Sequence, residues 1–193
     1  MALRLFFGLP VAGAAADALQ TVCQRLADLP AWRQTPRLNW HLTLVFLGAI
    51  DEVLLPELVA LGERACAAHA PFSGRLDRLG WLPGRRRPRL LAALAADAAP
   101  FQPLHTTLKD GAEALGFAIE TRPLLPHVTL LRRRKSIAVD ADEPALDTVA
   151  AHPLSATGDI LLPVAELVLY QSVPGAAGPR YLPLWQAPLT GVS

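Results

Sequence analysis

Apolar residues along the chain follow two spacings, one typical of buried strands and one typical of amphipathic helices. Uninterrupted apolar runs predict strands, and apolar positions three or four residues apart predict helices. The predicted strands cover 2–9, 41–47, 72–82, 89–95, 127–131, 160–172 and 180–185. The predicted helices cover 11–28, 51–69 and a segment that Pro100 opens and Gly116 ends. Because helices and strands are mixed without a strict β-α-β repeat, the pattern predicts an α+β fold.

Glycine and proline residues punctuate this pattern. Gly48 is expected to stop the second strand, and the stretch between Pro30 and Pro36 is expected to be irregular. Residues 136–157 are rich in Asp, Ala and Pro and predict a long surface loop. Since no linker divides the chain, residues 1–193 are expected to form a single domain.

Composition and charge narrow the functional classes. The chain has 193 residues, of which 52% are hydrophobic and 18% charged, and its formal net charge is +1. This apolar content excludes global disorder, and the small net charge excludes a protein coated by basic residues for nucleic-acid binding. There is no apolar stretch of about 18 residues, so no membrane helix is expected. Gly8 and Pro10 interrupt the apolar start of the chain, which favours a strand and helix over a signal peptide.

The two cysteines, Cys23 and Cys66, fall on the apolar stripes of predicted helices. Cysteine behaves there as a small buried hydrophobe, so a disulfide is unnecessary and a reducing cytoplasm is expected. No cluster of Cys and His has the spacing of a zinc site, and no metal or cofactor is expected.

One short motif occurs twice in strand contexts. His41-Leu42-Thr43-Leu44 and His127-Val128-Thr129-Leu130 each place a histidine two residues before a threonine. In a strand, residues i and i+2 point to the same face, so each motif presents an imidazole and a hydroxyl together. If the two halves of the chain pack around a pseudo-twofold axis, both pairs meet across one cleft.

Such a pair suits displacement at phosphorus. Two histidines with pKa values of about 6.5 can hold opposite protonation states, one taking a proton from the attacking group and one giving a proton to the leaving oxygen. Threonine hydroxyls can donate hydrogen bonds to the phosphate oxygens, where negative charge develops. A third copy, His105-Thr106-Thr107-Leu108, lies in a predicted helix, where i and i+2 do not share a face. His105 is therefore interpreted as a surface helix residue.

With these motifs, the chain resembles the two-histidine phosphoesterases, and within them the bacterial RNA 2′,3′-cyclic phosphodiesterases first described as 2′-5′ RNA ligases. The resemblance covers most of the chain. It rests on the blocks RLFFGL (4–9), LNWHLTLVFLG (38–48), PHVTLLR (126–132) and YLPL (181–184). It implies a bilobal, pseudo-twofold fold in which two antiparallel sheets flank a central cleft and helices lie outside, and it implies a monomer.

The resemblance also implies the reaction and the roles of the residues. The activity would be hydrolysis of an RNA-terminal 2′,3′-cyclic phosphate to a 2′-phosphate without a cofactor, with 2′-5′ ligation as the reverse reaction. His41 would be the general acid that protonates the departing 3′ oxygen, and His127 the general base that activates water. Thr43 and Thr129 would hold the phosphate. The residues alone leave the acid and base roles interchangeable.

Five residues beyond each histidine, the resemblance implies two further substrate contacts. Arg132 would bind the phosphate end, and Phe46 would bind the terminal base. Strict strand alternation puts both on the face opposite their histidines, so they reach the cleft only if each strand ends, twists or bulges. A solvated charge for Arg132 and a buried core phenylalanine for Phe46 are the alternatives.

Other candidates rank lower. The basic runs 85–89 and 132–135 are expected to be solvated turns, although they would track an RNA backbone if they rim the cleft. Trp32, Trp40 and Trp81 are expected in the core, with stacking on a base as the alternative, and no role is assigned to His69 or His152.

Two other functions remain open from sequence. One is a phosphodiesterase for a small cyclic nucleotide or an ADP-ribose cyclic phosphate. The arginine runs count against it, because they favour a polymeric substrate. The other is a non-catalytic module that binds RNA ends. The intact His and Thr in both motifs argue against it, because binding alone does not require two titrating groups.

Overall fold

The computed structural model describes residues 2–26, 29–134, 154, 158–175 and 178–192. In these ranges it has three α-helices, α1 (Gly13–Arg25), α2 (Leu55–Ala68) and α3 (Gln102–Ala114). The strands are β1 (Ala2–Pro10), β2 (Trp32–Gln34), β3 (His41–Asp51), β4 (Phe72–Leu82), β5 (Leu90–Ala95), β6 (His127–Arg133), β7 (Ile160–Val164), β8 (Glu166–Val173) and β9 (Arg180–Pro188). Short 3₁₀ turns cover Arg37–Asn39 and Glu52–Leu54.

The strands form two antiparallel halves that meet at the strands carrying the repeated motif. The order is β7-β4-β5-β6-β3-β1-β8-β9, and β2 pairs with the free part of β6. Within the described residues, β3 and β6 share a single pair, Leu42 opposite Val128, whereas β1 and β3 pair along nine positions, Ala2 to Pro10. The expected α+β class with antiparallel strands and flanking helices is therefore confirmed, with the two expected sheets joined through the pair of Leu42 and Val128 into one nine-stranded sheet in the described residues.

The two faces of the sheet differ in what they carry. One face holds the main core, built from β1, β3, β5 and β6 side chains and from the buried stripes of all three helices. The opposite face carries a small separate cluster of Phe6, Val168 and Tyr170, with Tyr181 packed against it. We call this second surface the cleft face. Alternation along β1 explains the division, because Leu5 and Phe7 enter the core while Phe6 between them points to the cleft.

Three strand predictions are wrong in detail. The irregular stretch between Pro30 and Pro36 contains β2, which is only three residues long and shows no periodicity. Gly48 does not stop β3, which continues to Asp51, and the glycine adopts a φ of 83° that a side chain would strain. Residues 160–172 are two strands, because the chain leaves the edge next to β4 at Val164 and continues from Glu166 as β8, whose residues from Val168 pair with β1.

Helix boundaries are shorter than predicted. The first helix ends at Arg25 rather than residue 28, and residues 27–28 lie outside the described ranges. The second α-helix begins at Leu55, after a 3₁₀ turn whose amide at Val53 donates to the Asp51 carboxylate. A carboxylate at this position satisfies one of the unpaired amides that open a helix.

The predicted loop over 136–157 lies outside the described residues except for Leu154, which is buried. Cys23 and Cys66 are free and buried, as predicted. Within the described ranges, no helix is long and apolar enough to cross a membrane.

Candidate active site

The single pair between β3 and β6 decides which side chains share the cleft. Leu42 and Val128 face each other and are both fully buried in the core. Their neighbours along each strand therefore point to the opposite face. Continuing this register sets His41 level with Thr129 and Thr43 level with His127. The two histidines are thus diagonal neighbours, a relation in which side chains stand roughly 7–8 Å apart.

Each histidine is held in the same way by its own strand. His41 Nδ1 lies 2.8 Å from the carbonyl oxygen of Asn39, and His127 Nδ1 lies 2.8 Å from that of Leu125. A carbonyl oxygen only accepts, so each Nδ1 carries a proton and donates it. In the neutral rings, Nε2 is then the unprotonated nitrogen. The Nε2 of His41 lies 3.1 Å from Thr43 Oγ1, and the threonine hydroxyl donates to it.

An aromatic wall surrounds His41. The centroid of its ring lies 4.8 Å from that of Phe6, 4.6 Å from that of Tyr181 and 5.6 Å from that of Tyr170. Phe6 reaches the histidine by lying over Gly8, where any Cβ would meet the Phe6 ring at 3.3 Å. These contacts exclude water from one side of the imidazole and fix its plane.

Electrostatics favour the neutral form of both histidines in the free protein. Burial is the main cause that lowers the pKa of His41 to about 4; the hydrogen bond to Asn39 opposes it, and the charges of Arg132 and His127 act in the same direction as burial. Burial and the charge of Arg132 likewise lower the pKa of His127, against the bond to Leu125. A bound phosphate anion between the rings would oppose these effects, because an opposite charge favours the protonated imidazole.

Both motif strands bulge immediately after the threonine. Along β3 the register passes from Thr43 opposite Gly8 to Val45 opposite Phe7, which leaves one extra residue. Along β6 it passes from Thr129 opposite Ala92 to Leu131 opposite Leu91, with the same result. A bulge shifts the alternation by one residue, so the positions five beyond each histidine return to the histidine's face.

The bulges bring Arg132 into the cleft. Its guanidinium donates to the hydroxyl of Tyr181 at 3.0 Å, and the Tyr181 ring meets His41 edge-on. The charge of Arg132 lowers the pKa of both histidines, which places it close to each. A simple solvated charge is therefore the wrong description of Arg132.

Phe46 is also on the cleft face and is not a core residue. It is 40% exposed and lies opposite Phe6, whose ring packs on His41. The Arg4 guanidinium lies 4.7 Å from the centroid of the Phe46 ring, a cation–π contact. An open groove beside Phe46 is lined by Ala118, Ile119, Glu120 and Thr121. Since β3 and β6 are antiparallel, Phe46 and Arg132 occupy opposite ends of the cleft.

Asn39 is a residue that the sequence reasoning did not single out as a site residue. Its carbonyl accepts from His41, its side-chain nitrogen donates to the Pro179 carbonyl at 2.9 Å, and its side-chain oxygen accepts from the Tyr181 amide at 3.3 Å. Asn39 thereby ties the start of β9 to the histidine. Its position two residues before His41 is the one signal that could have found it.

The remaining sequence candidates divide clearly. Trp32, Trp40 and Trp81 are buried, as predicted. The 85–89 run lies in the turn between β4 and β5, and the ring of His69 shares a hydrogen bond with Thr107, between α2 and α3. His105 does lie in α3, but it is half-buried and bonds the Leu44 carbonyl at 2.9 Å, so it packs rather than faces solvent. His152 and Lys135 lie outside the described residues.

Comparison with known proteins bears on the whole chain. A family profile described as the 2′-5′ RNA ligase superfamily matches residues 10–175. An RNA 2′,3′-cyclic phosphodiesterase of Thermus thermophilus is 34% identical over 138 residues, which are 68% of this chain and 69% of that protein. The Bacillus subtilis protein of the same name is 28% identical over 128 residues, covering 66% and 70% of the two chains.

Solved structures show the same fold. A crystal structure of a Thermus thermophilus protein superposes with a TM-score of 0.81 at 29% identity, and the match covers 97% of this chain and 98% of that one. The family profile spans most of the sequence, including both motif strands. The chain therefore belongs to the 2′-5′ RNA ligase superfamily.

Proposed function

We propose that this protein opens a 2′,3′-cyclic phosphate at the end of an RNA chain and leaves a 2′-phosphate, using His41 and His127 as an acid–base pair. The observation that carries the proposal is the matched placement of two imidazoles on the cleft face, each with Nδ1 engaged by a carbonyl two residues earlier. The names of the bacterial relatives support the same substrate.

The reaction balances with these two groups. His127 Nε2 takes a proton from water as the water oxygen attacks phosphorus, and His41 Nε2 gives a proton to the 3′ oxygen as the bond from phosphorus to that oxygen breaks. The product carries a 2′-phosphate and a free 3′-hydroxyl. His41 is then neutral and His127 protonated, so exchange with solvent restores the starting state. The proposed 2′-5′ ligation uses the same two groups on the cyclic phosphate: a 5′-hydroxyl attacks phosphorus in place of water, His127 takes its proton, and the protonated 3′ oxygen leaves while the 2′ oxygen stays bonded to phosphorus.

The threonines and the two ends of the cleft complete the proposal. Thr43 and Thr129 donate hydrogen bonds to the non-bridging phosphate oxygens, whose charge grows in the transition state. Arg132 neutralises the phosphate, and Phe46 stacks on the terminal base. His41 must gain its proton with the substrate, since burial holds its pKa at about 4 in the free protein. The anionic phosphate supplies that bias.

We assign no metal to this chemistry. Within the described ranges, no three His, Cys, Asp or Glu side chains cluster as a metal site. We further propose that residues 1–193 act as one bilobal domain and a monomer in the cytoplasm, where RNA ends are found. A single cooperative unfolding transition and a sedimentation coefficient of a 20.7 kDa particle test the domain and the monomer.

The test is product analysis of a short RNA with a 2′,3′-cyclic end, incubated with the protein in EDTA. The proposal predicts a 2′-phosphate that is missing with His41→Ala or His127→Ala. His105→Gln is the matched control, because it alters a histidine of the same local pattern that lies in α3. An unchanged substrate contradicts the reaction, a 3′-phosphate contradicts the assigned leaving oxygen, and activity restored only by added metal contradicts metal-free catalysis.

A further inference from the structure

Two arginines face each other at one end of the cleft. Arg33 of β2 pairs with Arg132 of β6 in the antiparallel register. Residues directly opposite in such a pair point to the same face, and like charges there repel. Together with Asn39 and Tyr181, both arginines line one small pocket.

Nothing in the described chain compensates Arg33. Within the described ranges Arg33 forms no ion pair and no side-chain hydrogen bond, and Arg132 bonds only the neutral hydroxyl of Tyr181. Nearby Arg37, by contrast, is paired with Asp17 at 2.7 Å. Two half-buried guanidinium groups without a carboxylate are unfavourable unless an anion joins them.

The Arg33 side chain has a defined seat. It lies against the backbone of Gly178, where any Cβ would collide with its guanidinium. Gly178 has a φ of 106°, so the position strongly favours glycine on backbone grounds as well. The turn before β9 thus leaves space for Arg33 beside Tyr181, which itself contacts His41.

The surroundings give this end of the cleft a direction. Arg132 pairs on its other side with Leu90 of β5, and the Arg133 amide donates to the Arg89 carbonyl. The basic turn 85–89 therefore lies next to the same end. Phe46 occupies the other end, across the histidines. A chain of phosphates leaving past Arg132 and Arg33 meets positive charge outside the cleft, which suits a polyanion.

We infer that Arg33, beside Arg132, binds the backbone phosphodiester on the 5′ side of the reacting nucleotide, so that the protein prefers oligonucleotide ends to cyclic mononucleotides. This inference rests on the proposed function. It adds a second phosphate site beyond the reacting one and assigns Arg33, which plays no part in the proton transfers. Guanidinium suits this task because its planar fork donates two parallel hydrogen bonds to phosphate.

The test compares three substrates that share one cyclic end: a mononucleotide with a 5′-hydroxyl, the same nucleotide with a 5′-phosphate, and a dinucleotide. Arg33→Ala is expected to lower kcat/KM for the dinucleotide roughly ten- to a hundredfold, as for the loss of a hydrogen bond to a charged group. The 5′-hydroxyl mononucleotide should change less than about twofold. Arg33→Lys should restore part of the loss, since it keeps the charge without the fork.

Arg37→Ala is the matched control, because Arg37 is an arginine of the same segment outside the pocket. It should leave the ratio between substrates unchanged. Equal losses on dinucleotide and 5′-hydroxyl mononucleotide, or no loss on either, overturn the inference. If the 5′-phosphate alone restores the full preference, with no further gain from the dinucleotide, the preference for an oligonucleotide is overturned and a terminal phosphate is the ligand.

The design separates the two proposals. If the wild-type protein turns over the mononucleotide, and Arg33→Ala leaves the ratio of dinucleotide to mononucleotide kcat/KM unchanged, the second phosphate site is overturned and the proposed function stands. No turnover of any substrate overturns the proposed function. In that case fluorescence anisotropy with a 2′-phosphate-ended dinucleotide still decides the site, since Arg33→Ala must weaken binding for the inference to stand.

Discussion

Strands β3 and β6 follow the same local plan but surround their histidines differently. Both begin with His-x-Thr, engage Nδ1 with the carbonyl two residues earlier, and bulge after the threonine. His41, however, sits among three aromatic rings, whereas no ring contact to His127 is found in the described ranges. Five residues on, β3 carries an aromatic and β6 a cation. A near-symmetric backbone thus holds an asymmetric site.

The asymmetry gives physical content to the roles of acid and base. A base must be neutral to accept a proton, and burial lowers the pKa of His127, which keeps it neutral near pH 7. A histidine that acts as an acid must be protonated, yet burial lowers the pKa of His41 to about 4. In the proposed mechanism His41 can therefore act as an acid only with an anion beside it, and Arg132 and Thr43 are the groups proposed to hold that anion.

Removing either histidine is expected to have the largest effect on activity. His41→Ala and His127→Ala should each lower kcat on the order of 10²–10⁴-fold, the usual contribution of a positioned acid or base. The double variant should be little worse than either single variant, because groups acting as a unit are not additive. Steady-state rates on a cyclic-ended oligonucleotide check this. Losses that multiply would show two independent roles instead of a pair.

The threonines are the next test of symmetry. Thr43→Val and Thr129→Val should each lower kcat roughly 10–100-fold, because each removes one hydroxyl that bonds a charged phosphate. Thr→Ser at the same positions keeps the hydroxyl and is the matched control. Thr43 also bonds His41 Nε2, so only its variant should shift the pH dependence. Identical pH profiles for the two valine variants would remove this distinction.

Phe46 tests the aromatic end of the cleft. Phe46→Ala should raise KM about tenfold while kcat changes little, since stacking on one base contributes about 1–3 kcal/mol. Phe46→Tyr keeps the ring and should behave like wild type. The substrate series should show the loss for every base. A wild-type KM in Phe46→Ala would contradict base stacking and leave only a structural role for the ring, its contact with Arg4.

Stability against pH measures the difference between the histidines without substrate. The unfolded chain takes up a proton on His41 near its ordinary pKa of 6.5, whereas the folded chain resists it until about pH 4. Wild-type stability should therefore fall as pH drops through this window. His41→Asn should remove on the order of 1–2 kcal/mol of that fall between about pH 7 and 5.

His127→Asn is the comparison variant, measured by urea unfolding at each pH. Three rings surround His41 and none surrounds His127 in the described ranges. We therefore expect His127→Asn to change the pH dependence of the free energy of unfolding less than His41→Asn does. Equal pH dependence in wild type and His41→Asn would contradict the lowered pKa of His41.

Sequence reasoning found the local part of this site. Alternation along a strand, read from His41 and Thr43 or from His127 and Thr129, depends only on neighbouring residues and was correct. The resemblance added Arg132 and Phe46, but alternation alone placed both on the wrong face. The bulges that bring them back appear only in the register with β1 and β5.

Long-range pairing explains what the sequence could not provide. The apolar run 160–172 reads as one strand, although its two parts join opposite ends of the sheet. Arg33 and Arg132 are 99 positions apart and meet only because β2 pairs with β6. The contacts of Asn39 reach Pro179 and Tyr181, again far along the chain. None of these leaves a periodic signal.

The central claim is that His41 and His127, in unequal surroundings, react as a pair with His41 protonated and His127 neutral, and the pH dependence of kcat/KM tests it most directly. The kcat/KM of the wild type should follow a bell-shaped pH profile. Its alkaline limb should lie at lower pH than the alkaline limb of the kcat profile, because kcat/KM reports the free protein, whereas kcat reports the complex, in which the bound phosphate raises the pKa of His41. The limbs belong to the pair. His127→Ala should lose the acid limb and His41→Ala the alkaline limb, whereas a flat wild-type profile from about pH 5 to 9, or both limbs persisting in either variant, would contradict the account.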